Sequence, residues 1–312
     1  MRSPAVARGG LIWHSEGRRM LVQLRTRAED IPGAVGPEEA SVRALERGAF
    51  AGGALLDRLD RQVRYVRLSL TDRCNLRCTY CMPEGGVDHV AREALLTFEE
   101  IERLARVLAR LGVAKIRLTG GEPTLRRDLP SLVGRLRAIP AADSPDGRLQ
   151  VFMTTNGLLL PRLAGALRRA GLSGLTVSLD TLDPRKFEAI TRAGAIDRVF
   201  QGIEAARDAG QPGLKLNTVA IQGFNDNELP ALCEFAWTRG MTPRFIETMP
   251  MAGGALYVPG ELMPAAQVRA RLASGLQGRV VAHEGGAVLG GQGGLAGPAS
   301  YWRVVDGAHD GA

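Results

Sequence analysis

From Val63 to Glu247 the chain alternates short apolar runs with amphipathic stretches, and this alternation limits the fold more than any other feature. Strands are read at Tyr65–Leu70, Lys115–Thr119, Gln150–Thr154, Leu175–Leu179, Leu214–Val219 and Pro243–Glu247. Helices are read between them, at Thr97–Leu111, Asp128–Ile139, Leu163–Ala170, Pro184–Ile190 with Ile196–Ala209, and Glu228–Thr238. The first helix has Thr97 and Glu100 in capping-box positions and Gly112 as its stop. Its Ile101, Leu104, Ala105, Leu108 and Leu111 share one face. Strands separated by helices pair in parallel through right-handed crossovers. The expected class is therefore α/β, either an open doubly wound sheet or a barrel, whole or partial.

The flanks read differently. Residues 1–55 hold six arginines against one acid as far as Ala28, then Pro- and Gly-rich turns, and are expected to be a loose, mobile extension. Residues 56–250 are expected to be the core. After Met251 the apolar period fades, and residues 251–312 are expected to be an incomplete or divergent C-terminal segment. No apolar run reaches about 18 residues, so no membrane-spanning helix is expected. The net charge of +7 suits anionic partners, but the arginines are dispersed with few aromatics among them, which does not read as nucleic-acid binding.

The chain has four cysteines, and three of them, Cys74, Cys78 and Cys81, lie within eight residues just after the first core strand. That spacing is not a secreted disulfide framework, and reduced thiols suit a cytoplasmic chain. Three thiolates in one loop can hold three corners of a metal cluster and leave one metal open to another ligand. The competing reading is structural zinc, with His89 or Cys233 as fourth ligand, although neither has finger or ribbon spacing.

Polar groups also gather near strand ends: Thr119-Gly120-Gly121-Glu122-Pro123 after the second strand, Thr154 and Asn156 at the third, Ser178 and Asp180 at the fourth, Glu247 and Met249 at the sixth. Parallel α/β folds collect ligand groups at these ends. Arg67, Arg117 and Lys215 stand inside otherwise apolar strands. By alternation Arg67 shares a face with Ser69, and Arg117 with Thr119. Cations on an inner strand face need anions, either internal ones such as Asp180 and Glu122 or a bound polyphosphate.

The Cys-x3-Cys-x2-Cys run with Tyr80 before the last cysteine resembles the radical S-adenosylmethionine (SAM) superfamily. The stretches Leu68–Pro83, Leu118–Arg127, Thr154–Gly157, Val177–Asp180, Leu216–Val219 and Arg244–Met249 resemble, within it, the GTP 3′,8-cyclases of molybdenum cofactor biosynthesis. The resemblance spans Leu56–Met251. It implies a partial parallel (β/α)6 TIM-like barrel and one 4Fe-4S cluster on Cys74, Cys78 and Cys81. It implies SAM contacts from Tyr80, Gly121, Ser178 and Met249, and GTP contacts from Arg67, Arg117, Thr154 and Lys215. The implied reaction is hydrogen abstraction from the ribose C3′ of GTP, then C3′–C8 ring closure, in a lyase that draws on an electron donor. A homodimer and a downstream pathway enzyme are further partners it allows. The family's second, C-terminal cluster is not supported, since no cysteine follows Cys233, itself expected to be a buried helix thiol. Two alternatives remain open: a radical SAM enzyme on another substrate, and a catalytically incomplete paralogue that binds a cluster or nucleotide.

Overall fold

The computed structural model describes residues 11–15, 18–23, 53–57, 61–83, 85–247, 260–276, 279–282 and 301–305. Strands β1 (Leu11–Ser15) and β2 (Arg18–Gln23) form an antiparallel hairpin, and β2 pairs antiparallel with β3 (Tyr65–Ser69). From β3 onward the order is the one that strand–helix alternation dictates. Helix α1 (Phe98–Arg110) leads to β4 (Lys115–Thr119), α2 (Leu129–Arg137) to β5 (Gln150–Thr155), and α3 (Leu160–Arg169) to β6 (Gly174–Ser178). Two helices, α4 (Pro184–Thr191) and α5 (Ile196–Asp208), precede β7 (Lys215–Gln222), and α6 (Leu229–Trp237) precedes β8 (Thr242–Glu247). Strands β3 to β8 are hydrogen-bonded in chain order and all parallel, which makes the expected six-stranded partial barrel.

Beyond β8 a short strand β9 (Glu261–Leu262) pairs antiparallel with the end of β7. It is followed by α7 (Ala265–Gly275) and a two-stranded ribbon of β10 (Arg279–Ala282) and β11 (Trp302–Val305). Sequence periodicity had faded here because α7 buries little: Val268 is its one fully buried residue. The N-terminal hairpin also lies where no strand was read.

Period-two alternation sorts each core strand into two faces. Val66, Leu68, Ile116, Leu118, Val151, Met153, Leu175, Val177 and Leu216 point to the helices and form one continuous apolar core with them. The opposite, concave face carries Tyr65, Arg67 and Ser69, then Lys115, Arg117 and Thr119, in matched register on β3 and β4. Gly174 is the one position on that face without a side chain between Phe152 and the next strand. A Cβ there would lie 2.5 Å from the ring of Phe152, its register partner, so a side chain at this position would displace the ring. Thr97 and Glu100 close the capping box on α1 as read from the sequence.

Candidate active site

The loop after β3 carries the three cysteines, all as free thiols. Cys74 Sγ accepts from the Leu76 N–H at 3.4 Å, and the Asn156 amide lies 4.0 Å from the same sulfur. The orientation of that amide follows from its partners. Its oxygen accepts from Leu158 N–H at 3.1 Å, so its nitrogen faces Asn75 Oδ1 at 2.7 Å and the Cys74 sulfur. Burial pushes the Cys78 thiol up to about 12, helped by the Asp180 carboxylate and then by the other two cysteines. Burial also raises Cys74 and Cys81. Thiols this reluctant to ionise give up their protons to a strongly cationic centre, as iron–sulfur ligation requires.

Zinc fits less well. His89 Nδ1 faces Asp72 Oδ2 at 3.5 Å, and Cys233 is 2% exposed inside α6, as the sequence reading had it. Among the described residues no three His, Cys, Asp or Glu side chains converge on a single-ion position. A cluster, by contrast, distributes its thiolates over separate irons.

Gly121 is fixed by its neighbour in space. Its N–H donates to Thr71 O at 2.6 Å, and a Cβ on it would lie 2.2 Å from Arg73 O. One side of Gly121 therefore packs on the stem of the cysteine loop, while the residue itself stays exposed to a ligand. The following Glu122 is 1% exposed and saturated: it accepts from Thr124 N and Oγ1, from Thr155 Oγ1 at 2.7 Å and from Asn156 N at 2.8 Å. It caps the short 3-10 turn Pro123–Leu125.

Tyr80 reaches the far side of the barrel mouth. Its hydroxyl donates to Asp180 Oδ2 at 2.7 Å, and Asp180 Oδ1 accepts from Val219 N–H at 2.8 Å. Next to it, Ser178 and Asn217 are register neighbours on β6 and β7. Asn217 Oδ1 is buried without a hydrogen-bond partner, an orphaned acceptor that a bound ligand can satisfy.

The cations lie deeper. Arg117 is 8% exposed and uses Nε on Tyr65 Oη at 2.7 Å, and Nη1 on Thr154 Oγ1 and Thr176 Oγ1, both at 3.0 Å, and on Met153 O at 3.3 Å. All these partners are neutral. Asp180 and Glu122, the internal anions weighed for this role, are taken by the bonds just described. Lys215 Nζ lies 3.4 Å from Tyr301 Oη. Arg67 is exposed on the same concave face.

Two further cations belong to this group. Lys115 Nζ sits 4.0 Å above the Phe152 ring centroid, and its pKa is lowered to about 8, first by burial and then by Arg117, Lys215 and Arg244. Lys115 precedes Arg117 by two residues, so alternation alone places it on the same face. Arg244 is in register with Asn217 on the neighbouring strand, and only the folded sheet brings it here. The sequence expectation placed polar ligand groups at the strand ends and Arg67, Arg117 and Lys215 inside the strands. The structure puts Lys115 and Lys215 at the amino starts of their strands, so the cations form a floor beneath the cysteine loop. Met249 lies outside the described residues.

A cysteine loop over the carboxyl ends of a six-stranded partial barrel, with a cationic concave face below, defines the radical SAM class of enzyme. The radical SAM superfamily model matches residues 68–236, more than half of the chain. Two solved structures share the fold at 15–18% identity. Streptococcus suis SuiB bound to S-adenosylmethionine gives a TM-score of 0.55 over 75% of this chain and 50% of that one. A radical SAM methyltransferase from Sphaerobacter thermophilus gives 0.52 over 68% and 63%. The GTP 3′,8-cyclase of Pelotomaculum thermopropionicum is 44% identical over 252 residues, 81% of this chain and 73% of that protein. That of Marinobacter nauticus is 52% identical over 197 residues, 63% of this chain and 57% of that protein. The chain belongs to the GTP 3′,8-cyclase family of molybdenum cofactor biosynthesis.

Proposed function

We propose that this chain is a cytoplasmic radical SAM lyase that binds GTP on its concave face and begins its 3′,8-cyclisation. The observation that carries the GTP reading is Arg117, a buried guanidinium whose hydrogen bonds among the described residues all go to neutral groups and which lies over the Phe152 ring, with no carboxylate against it. An unpaired buried charge is costly, and a site that keeps one is built for an anion from outside. Arg117, Lys215 and Arg244 all lie close enough to Lys115 to act on its charge, and such a gathering of cations suits several phosphates rather than one carboxylate.

Cys74, Cys78 and Cys81 would hold a 4Fe-4S cluster, and Tyr80, Gly121, Ser178 and Met249 would contact SAM. When bound, cluster and SAM together supply, on one-electron reduction by an external donor, a 5′-deoxyadenosyl radical able to abstract the ribose C3′ hydrogen. The protein's own share is placement. Arg67, Arg117, Thr154 and Lys215 anchor the nucleotide, and Tyr80 fixes the cysteine loop to Asp180, just after β6, which is itself held by Val219 N–H on β7. The apolar helix layer keeps bulk water from the far side of the sheet. The remaining cysteine, Cys233, is buried in α6, away from the cysteine loop.

The test is anaerobic reconstitution with iron and sulfide, followed by reductant, SAM and GTP. The reading predicts 5′-deoxyadenosine whose yield rises with GTP. No deoxyadenosine, or a yield indifferent to any nucleoside triphosphate, would overturn it.

A further inference from the structure

Arg192 closes the C-terminus of α4 in the left-handed conformation, with φ 55° and ψ 30°. Among the described residues only one other non-glycine, Asp128, has a positive φ. An L-residue in this region costs about 1 kcal/mol, and helix ends usually place glycine there. The side chain explains why an arginine is used instead. Its Nη1 donates to Arg77 O at 3.3 Å and to Met82 O at 3.2 Å, the two carbonyls that bracket Cys78 through Cys81. The backbone of the same helix end reaches the same turn. Thr191 O accepts from Arg77 N–H at 3.0 Å, and Ile190 O accepts from Thr79 N–H at 2.8 Å. The last carbonyls of α4 would otherwise lack intrahelical partners.

We infer that Arg192 is a positioning residue that latches the Cys78–Cys81 turn in its ligating shape and slows loss of the cluster. The inference rests on the reading of Cys74, Cys78 and Cys81 as cluster ligands. A left-handed backbone and a bridging guanidinium make opposite demands, and substitution separates them. Arg192→Gly relieves the backbone and removes the latch. Arg192→Asn also tolerates the left-handed region but cannot span both carbonyls. Arg192→Lys keeps the charge as a single point and loses the planar fork.

The experiment uses the full chain in two forms. In the metal-free form, amide hydrogen exchange is followed over residues 74–82, together with the melting temperature. In the reconstituted form, iron transfer to an added chelator is timed. Arg192→Gly and Arg192→Asn are expected to melt within a few degrees of the parent, with Gly at or above Asn. Exchange at Thr79 and iron release should each quicken about five- to tenfold, as the loss of one or two charge-assisted bonds predicts. Arg192→Lys should fall between them and the parent. Exchange and release at parental rates in both variants would overturn the latch, as would a quickening matched by an equal drop in melting temperature. A parent that takes up no iron would sink the cluster reading instead, while exchange in the metal-free chain would still decide the latch.

Discussion

Arg117 Nη1 and Thr154 Oγ1 lie 3.0 Å apart on adjacent strands, and that bond aims the guanidinium along the concave face instead of toward a carboxylate. The hydroxyl accepts from the guanidinium, as do Tyr65 and Thr176, so the cation is oriented before any ligand arrives. Arg117→Lys should weaken GTP binding at least tenfold, because a point charge cannot reproduce the fork. Thr154→Val should weaken it about three- to tenfold through loss of the anchor. Calorimetric titration of the protein with GTP checks both. Affinities within twofold of the parent would place the phosphates elsewhere.

Lys115 gives the site a pH dependence. Its pKa is lowered to about 8 in the folded protein, first by burial and then by three neighbouring cations. Binding a polyphosphate favours the protonated amine, so above pH 8 the ligand must recruit a proton as it binds. Affinity for tripolyphosphate should be level from pH 6.5 to 7.5 and fall as pH rises from 8 to 9.5, toward tenfold per unit. The sign for stability is opposite: between about 8 and the ordinary lysine value the unfolded chain holds more protons, so folding becomes more favourable as pH rises. In Lys115→Gln the pH slope of binding should disappear. A slope that survives the substitution would assign the titration to another group.

Gly121 tests how closely the second strand's turn abuts the cysteine loop. A Cβ would meet Arg73 O at 2.2 Å, so Gly121→Ala must displace the loop stem. Reconstituted iron content should fall by half or more. Gly134, inside α2 with nothing within 4 Å of a built Cβ, is the control. Gly134→Ala should leave iron content unchanged and stabilise the chain by about 0.5–1 kcal/mol. Equal iron contents in the two variants would contradict the packing described here.

The Tyr80–Asp180 bond joins residues a hundred positions apart. Asp180→Ala leaves the Tyr80 hydroxyl and the Val219 N–H without an acceptor and should cost about 2–3 kcal/mol in urea unfolding. Burial raises the Asp180 pKa, while the Tyr80 and Val219 bonds favour its charged form. The loss in Tyr80→Phe should therefore be small at low pH, where Asp180 is protonated in both states, and grow as the carboxyl ionises. A loss independent of pH would mean the hydroxyl does not serve the carboxylate.

Much of this was legible in the residues themselves. Alternation placed Arg67 with Ser69 and Arg117 with Thr119, and the ladder then sets the two pairs side by side on β3 and β4. Thr97 and Glu100 announced the start of α1 because a capping box is a local device. Misreadings arose where partners are distant in the chain. Asn156 was read as a polar group at the end of the third strand; its amide closes a turn to Leu158 and also reaches the cysteine loop eighty-one residues earlier. Glu122 was weighed as an internal anion for the strand cations, but its carboxylate is already engaged by four donors from Thr124, Thr155 and Asn156. Arg244 joins the cation floor only through its register with β7. Arg192 gave no sign at all, since neither its left-handed backbone nor its two carbonyl partners can be read from sequence spacing.

The most direct measurement uses GTP carrying deuterium at the ribose C3′, with reconstituted protein, reductant and SAM. A nucleotide seated on the Arg117 floor with its ribose toward the cysteine loop should send that label into 5′-deoxyadenosine, detected by mass spectrometry. The transfer should be lost in Cys78→Ser and sharply reduced in Arg117→Met. Deoxyadenosine that forms without deuterium would contradict the account, because the hydrogen would then come from a different atom or a different substrate.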